Sequence, residues 1–540
     1  MIGRLLALLT CAALLCACAK IETGGGVGGR HPWTQAGHLR IGASNEPDNI
    51  NPMFGHTDAT DQVDALILAP LFRYKQNGDP SPELAAEIPT YANGGISHDN
   101  KTITIHMRKG MLWSDGAPLT ARDWLFTYHA VMNDSNNTKL RVGWDSVASV
   151  DLLDDSAFVV HLKRPDATFL GVLAQGGAAY PPLPEHLLGK LPNINRAAFN
   201  NAPISSGPFI LTKWNHGGSM EFVANSRYWR GRPKLDRITI QIVPDTNTLF
   251  NELKTHEIDL TQDSISENLI PRLGDITGVT VVRRLGASWR HMGINISRPV
   301  LHDVRVRLAL AEAIDWRQIN DKIYRGYNQL AVSDIFPGSW AAPSIPLYPY
   351  DPAHAKELLA QAGWKMGSDG VLHKGSLAMH LTISTGINGK DNEQAEVLIQ
   401  SQLKPLGVDI QVRNYPTSLL FAQNGPLYTG HYDLEWSLDT NAPDPDNSGS
   451  WASSFIPPKG ANTSWLRDPV VDKTSADALR TFDHARRKAL YQREEEAIHA
   501  DVPAVFFYWQ NSYTAYNSDL KNFSPTSYLS NYWNPWEWEI

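Results

Sequence analysis

Residues 436–447, WSLDTNAPDPDN, set Asp439, Asp444 and Asp446 among two prolines directly behind a tryptophan. Three chemistries use such a set: a metal loop, a catalytic carboxylate, or a fixed charge awaiting a cationic group on a ligand. A calcium loop takes oxygen ligands at alternate positions and a glycine sixth; counted from Asp439, Pro443 stands fifth and Asp444 sixth, so no metal site is expected. The chain has no H-E-x-x-H, G-x-S-x-G or G-x-x-x-x-G-K, so no catalytic residue is assigned and no cofactor is expected. Paired carboxylates in a Trp-rich cleft would suit a secreted glycosidase, but nothing here brings two acids face to face. Asp444 and Asp446 read as a solvated turn, since Asp, Asn and Pro form turns. Asp439, three residues past Trp436, is the better candidate for chemistry.

The elements around this stretch read as an α/β sheet. "LAMHLTIST" alternates apolar and polar, "NEQAEVLIQSQLKPLG" forms a helix stopped at Pro405 and Gly407, and "VDIQV" resumes a strand. Strand, helix, strand with short joints is a parallel βαβ unit, and "YDLEW" extends its sheet. Ligands of open α/β sheets lie beyond the carboxyl ends of the strands, which puts the acidic stretch at such an end. Upstream, "KTITIHMR" alternates as a strand. "LTARDWLFTYHAVM" starts a helix at Thr120, with Asp123 completing a capping-box variant. "YDPAHAKELLAQAG" has Asp351 as N-cap, Pro352 first in the helix and Gly363 past its end.

The N-terminus bears on the compartment. Arg4 precedes an apolar run from Leu5 to Leu15, about 11 residues, where a bilayer span needs ~20. Leu15-Cys16-Ala17-Cys18 then resembles a bacterial lipobox, with Cys18 as the lipidated residue; an ordinary secretory cleavage near Ala17 or Ala19 is the alternative. Cys11, Cys16 and Cys18 are the three cysteines of the chain, so the mature protein keeps no disulfide framework and no cysteine zinc site. The Gly-rich segment 19–37 reads as a flexible tether reaching roughly 20–25 Å. The 56 acidic and 48 basic residues give a mild acid excess with no basic block, so nucleic acid is not an expected partner.

Seven blocks, in order, carry a resemblance. "LAAEIPTY" with "KTITIHMRKGMLWSDGAPLTARDWLFTY", then "SGPFIL", "NSRYWRGRPKLDRI" and "LKTHEIDL", then "MGINISRPVLHDVRVRLALAEAID", "YDPAHAKELLAQAG" and "LIQSQLKPLGVDIQV" resemble the extracytoplasmic solute-binding proteins of peptide and nickel ABC importers. The likeness runs from about residue 39 to near 515. It implies a type II periplasmic-binding-protein fold, α/β, with two lobes about a hinge and an extra domain. Domain I would comprise 38–75, 203–295 and 505–540, domain II 76–202 and domain III 296–504, behind a signal peptide over 1–18.

The same resemblance implies a function and a site. The chain would be a receptor, not an enzyme, working as a monomer with a membrane permease at the extracytoplasmic face and trapping a peptide between domains I and III. An N-terminal "LDP" loop contributes one side of the cleft; here Asn51-Pro52 matches, with His56, Thr57 and Asp58 at the contact positions. The other side is a G-W-x-x-D segment, matched by Trp436 and Asp439 around Ser437, with Glu435 in place of the glycine. In peptide-binding relatives that aspartate receives the free α-amino group. Related receptors also bind oligosaccharides or metal chelates; a sugar would stack on Trp340, Trp436 or Trp451. No residue is assigned to a ligand carboxylate.

Overall fold

The computed structural model describes residues 29–540 apart from 76–78, 175–178, 266, 275, 388 and 529–530. Cys18, the signal segment and most of the 19–37 tether lie outside the described residues. Residues 29–34 belong to a separate N-terminal unit, and Gln35–Ile540 form the main unit. No helix among the described residues is long and apolar enough to cross a membrane.

One 11-stranded mixed sheet organises the main unit. At one side, Asp409–Val412 and His380–Ser384 pair in parallel, and His380–Ser384 pairs in parallel with Leu434–Thr440. At the other side, His38–Ala43 lies parallel to Leu260–Thr261 and to Arg237–Ile242, followed by Ser219–Ala224 and Phe209–Asn215. Two long antiparallel strands, Val279–Ile294 and Ala504–Asn517, run through the middle and belong to both sides. The domain boundaries expected at 295/296 and 504/505 therefore fall at the far ends of these shared strands.

The pairing of the two long strands is regular from Val279↔Asn517 to Leu285↔Asn511, breaks, and resumes at Trp289↔Trp509. A second shift follows between Arg290 and His291. Such irregularities bend a strand and raise its local twist. Gly286 sits in the first break, and a Cβ there would stand 2.9 Å from the Gln510 carbonyl oxygen. The chain approaches itself closely because position 286 carries no side chain.

The expected local signals take physical form. Asp351 accepts hydrogen bonds from the amides of Ala353 and His354 at the start of Pro352–Gln361. Gly407, left-handed at φ 84°, closes the turn between Lys390–Leu403 and the next strand. Thr120 and Asp123 form the capping box of Ala121–Met132. That helix lies by a three-stranded sheet of Thr102–His106, Ala157–Leu162 and Val147–Asp154, with Trp124 stacked 4.3 Å from Phe158. The strand read as "YDLEW" continues to Thr440, because Val279–Ile294 offers it seven antiparallel partners from Ser288 to Ile294. Asp439 is therefore the penultimate strand residue, not part of a loop beyond the strand.

Candidate ligand-binding site

The register of Leu434–Thr440 against Val279–Ile294 builds the site. Trp289 faces Asp439, His291 faces Ser437 and Gly293 faces Glu435. Side chains alternate across a sheet, so these six residues share one face. Leu434 and Trp436 take the other, where they join the core of Met292, Ile294, Trp316 and Phe507. Neighbours on a diagonal are about 7–8 Å apart, within reach of long side chains. His291 accordingly lies between two acids: its Nε2 is 3.7 Å from Glu435 Oε1 and its Nδ1 3.8 Å from Asp439 Oδ2.

The six residues line a cavity of about 130 Å³, closed by Phe421, Leu427, Tyr428, Trp451 and Thr463 among others. Glu435 is buried; it accepts hydrogen bonds from Ser437 Oγ at 3.2 Å and Thr463 Oγ1 at 3.3 Å. Its side chain lies over Gly293, where a Cβ would stand 2.4 Å from Glu435 Oε1. Glu435 takes this position over a cross-strand partner that carries no side chain. Asp439 differs: its side chain is 52% exposed, and it lines the cavity.

Burial opposes a charge on His291, yet the adjacent Glu435 carboxylate and the charge of Asp439 outweigh it and hold the imidazole above the ordinary histidine value. Although half its side chain is accessible, the protein packed around Asp439 raises its pKa, with His291 pulling back and Glu435 and Asp334 adding to the rise. Two carboxylates and one imidazole leave a cavity that attracts cations and repels anions.

The segment after Asp439 is tied down from behind. Asn441 accepts from Trp289 Nε1 at 2.8 Å and donates to the Asp334 carbonyl. Asn447 Nδ2 donates to Asp334 Oδ1 at 3.1 Å and to Glu495 Oε1 at 2.7 Å, and Trp451 Nε1 donates to Asp334 Oδ2 at 2.7 Å. Asp444 does not sit in the solvated turn expected for it. Both its oxygens take a guanidinium nitrogen of the buried Arg487 at 2.8 Å. Asp446 is exposed and caps Ser448, as a turn aspartate does.

Other expected residues fall elsewhere. Trp436 is 1% exposed and stacked on Trp316 at 6.3 Å, so its ring is core and offers no face to a sugar. Its carbonyl is taken by Thr385 Oγ1 at 2.7 Å. Trp340 stacks on His484 at 4.3 Å, and Trp451 is buried at the cavity wall. His56, Thr57 and Asp58 do not line the Asp439 cavity. Thr57 caps the helix Asp58–Ile67, and the His56 amide donates to Asp48 Oδ1 at 2.9 Å. The sequence reading missed Trp289 and His291. The alternation in Trp289-Arg290-His291-Met292-Gly293 marks them as one strand face, but their partners lie some 150 residues away.

A second cavity of about 760 Å³ is lined by Phe336, a member of the aromatic cluster with Trp289 and Trp509. Leu285, just before the strand irregularity at Gly286, lines it with Phe336, Tyr528 and Trp533.

A bent central sheet with an acidic cavity beside its bend defines a ligand-binding protein of mixed α/β, multi-domain build. The chain belongs to the bacterial extracellular solute-binding proteins, family 5, whose family model matches residues 79–457. These are extracytoplasmic solute receptors, not enzymes. The oligopeptide-binding protein AppA of Bacillus subtilis is 28% identical over 501 residues, 91% of this chain and 89% of that one. Its structure in complex with a nonapeptide superposes with a TM-score of 0.73 at 26% identity, covering 94% of this chain and 99% of that chain. NikZ of Campylobacter jejuni in complex with Ni(L-His) gives 0.75 at 28% identity, covering 94% and 100%.

Proposed function

We propose that this protein is the peptide-capturing subunit of an ABC importer, and that Asp439 receives the ligand's α-ammonium group. The observation that carries this reading is the position of Asp439: a carboxylate at a strand end, open to a cavity with no arginine or lysine among its described lining residues. A carboxylate fixed in such a place makes a charge-assisted hydrogen bond, the strong kind. The names of similar proteins support the ligand class, since AppA is called oligopeptide-binding and a Brucella ovis relative a putative ABC transporter peptide-binding protein.

The rest of the ligand lies along the cleft between domains I and III, with His56–Asp58 on its opposite side. Closure bends the sheet at the two strand irregularities around Gly286. Far from that bend, the amide of Ala167 donates to the Leu479 carbonyl at 2.7 Å and Asn100 Nδ2 to the Arg480 carbonyl at 3.2 Å, contacts suited to hold the closed form. Cys18 carries a lipid anchor, and the protein acts as a monomer that hands its ligand to a membrane permease.

Thermal shift with peptides, oligosaccharides and nickel chelates tests the ligand class. A ligand at a hundred times its Kd adds about 2.7 kcal/mol of stability. Peptides should stabilise and sugars should not; stabilisation by a chelate alone would overturn the reading. Small-angle scattering should show contraction on peptide binding. Labelled fatty acid should enter the wild type and not Cys18→Ala.

A further inference from the structure

The acid cavity holds a group that a simple amine site does not need. His291 stands inside it with its ring 6% exposed, its Nδ1 buried and without a hydrogen-bond partner among the described residues, 3.8 Å from the Asp439 carboxylate that lines the cavity. We propose that a ligand's ammonium group and a proton on His291 compete for Asp439 and Glu435, so that capture of the ligand expels a proton from His291 to solvent. This rests on the reading of Asp439 as the amine receptor.

The groups facing His291 set the charge count. Glu435 and Asp439 approach from the neighbouring strand, and Asp334 acts from behind through Asp439. Tyr428 from the short helix Pro426–Thr429, with Thr463 and Ser464, is neutral, and Phe506, opposite His291 on the other strand, is apolar. Arg290 adjoins His291 in sequence but turns to the other face, over Trp436 at 5.6 Å and Tyr508 at 6.0 Å. In the free site a proton on His291 is supported by both carboxylates, in keeping with its raised pKa. An ammonium group hydrogen-bonded to Asp439 takes one support away and sets a like charge a few ångströms from Nδ1. Burial and the ligand's like charge then act together against the one remaining support, Glu435, and the neutral ring is left as a neighbour for the ligand.

Glu435 makes the arrangement possible. With glycine at position 435, His291 would face one acid, and a single cation would satisfy it. With Glu435 folded over Gly293, the empty site holds two negative charges and keeps its own counter-proton. His291 is a specificity-determining neighbour of the amine, and affinity should rise with pH.

The test uses the full mature protein and a pool of two- to nine-residue peptides built from Ala, Ser, Leu and Phe, free and N-acetylated. Near pH 6 the free peptides keep their ammonium charge, so protons released on mixing come from the protein. The proposal expects about one proton released per bound free peptide, and an affinity that rises by up to about tenfold per pH unit below the His291 titration. His291→Gln should release none and bind with a flatter pH profile. Ring-carbon NMR of the wild type provides a second readout without a variant. The His291 signal should titrate above ordinary histidine in the free protein and read neutral with peptide bound. Equal release by His291→Gln, or binding of the free pool with no release, would overturn the proposal while leaving the amine site intact. Equal binding of the acetylated pool, or no binding of either, would overturn the amine reading beneath it.

Discussion

Asp439 and Asp444 lie five residues apart on one acidic stretch and meet opposite circumstances. Asp444 is gripped by both arms of a guanidinium at 2.8 Å, and that guanidinium, on Arg487, is 3% exposed. Among the described residues Asp439 has an imidazole at 3.8 Å as its one ion-pair partner, and half its side chain is exposed at the cavity it lines. A carboxylate that is fully partnered is structural; one held in place but under-partnered has unspent capacity for a ligand. The comparison teaches that charge alone does not mark a site. What matters is whether the fold has already satisfied it.

The largest effect expected from this contrast is on stability. Arg487→Met leaves Asp444 without its guanidinium partner, and breaking such a pair costs about 3–5 kcal/mol. Urea unfolding measures it, and a loss below about 1 kcal/mol would mean that water takes over from Arg487.

A second effect comes from the acids behind the site. Burial pushes Glu494 up to about 8, with Ser475 donating to it at 2.5 Å and pulling back against burial and the charges of Asp334 and Asp446. Burial likewise raises Asp334 and Glu495, and Asp334's charge adds to the rise in Glu495. A carboxyl raised on folding stabilises below its unfolded value, and that contribution is lost as pH rises toward the folded one. Stability should therefore fall between about pH 4.5 and 8, by at most about 1.4 kcal/mol per pH unit for each such group. Glu494→Gln should flatten that slope and raise the melting temperature at pH 8. An unchanged slope would show that Glu494 titrates normally.

The smallest stability effect belongs to Asp439 itself. Asp439→Asn should change unfolding free energy by less than about 1 kcal/mol, because no strong native pair is broken. A loss as large as that of Arg487→Met would make Asp439 a structural residue and erase the contrast.

Much of the architecture was legible in sequence because it is local. Asp351, Pro352 and Gly363 bracket one helix, Thr120 and Asp123 start another, and the βαβ unit from His380 to Val412 follows from period and breakers alone. What failed was non-local. Trp436 reads as a possible ligand face until its register shows that odd and even positions of the strand divide between cavity and core. Asp444 reads as a solvated turn because Arg487 stands 43 residues further on. His291, the partner of both cavity acids, carries no motif; pairing with Leu434–Thr440 brings it there.

The central claim is that Asp439 meets an ammonium group, and calorimetry on four combinations tests it: wild type and Asp439→Asn, each with free and N-acetylated peptide. Hydrogen bonds to charged groups contribute ~1.5–3 kcal/mol. Either change alone should therefore weaken binding by roughly ten- to a hundred-fold. Together they should cost little more than either one, since the pair is already broken. If acetylation weakens the variant as much as the wild type, Asp439 does not face the amine, and the account of this cavity is wrong.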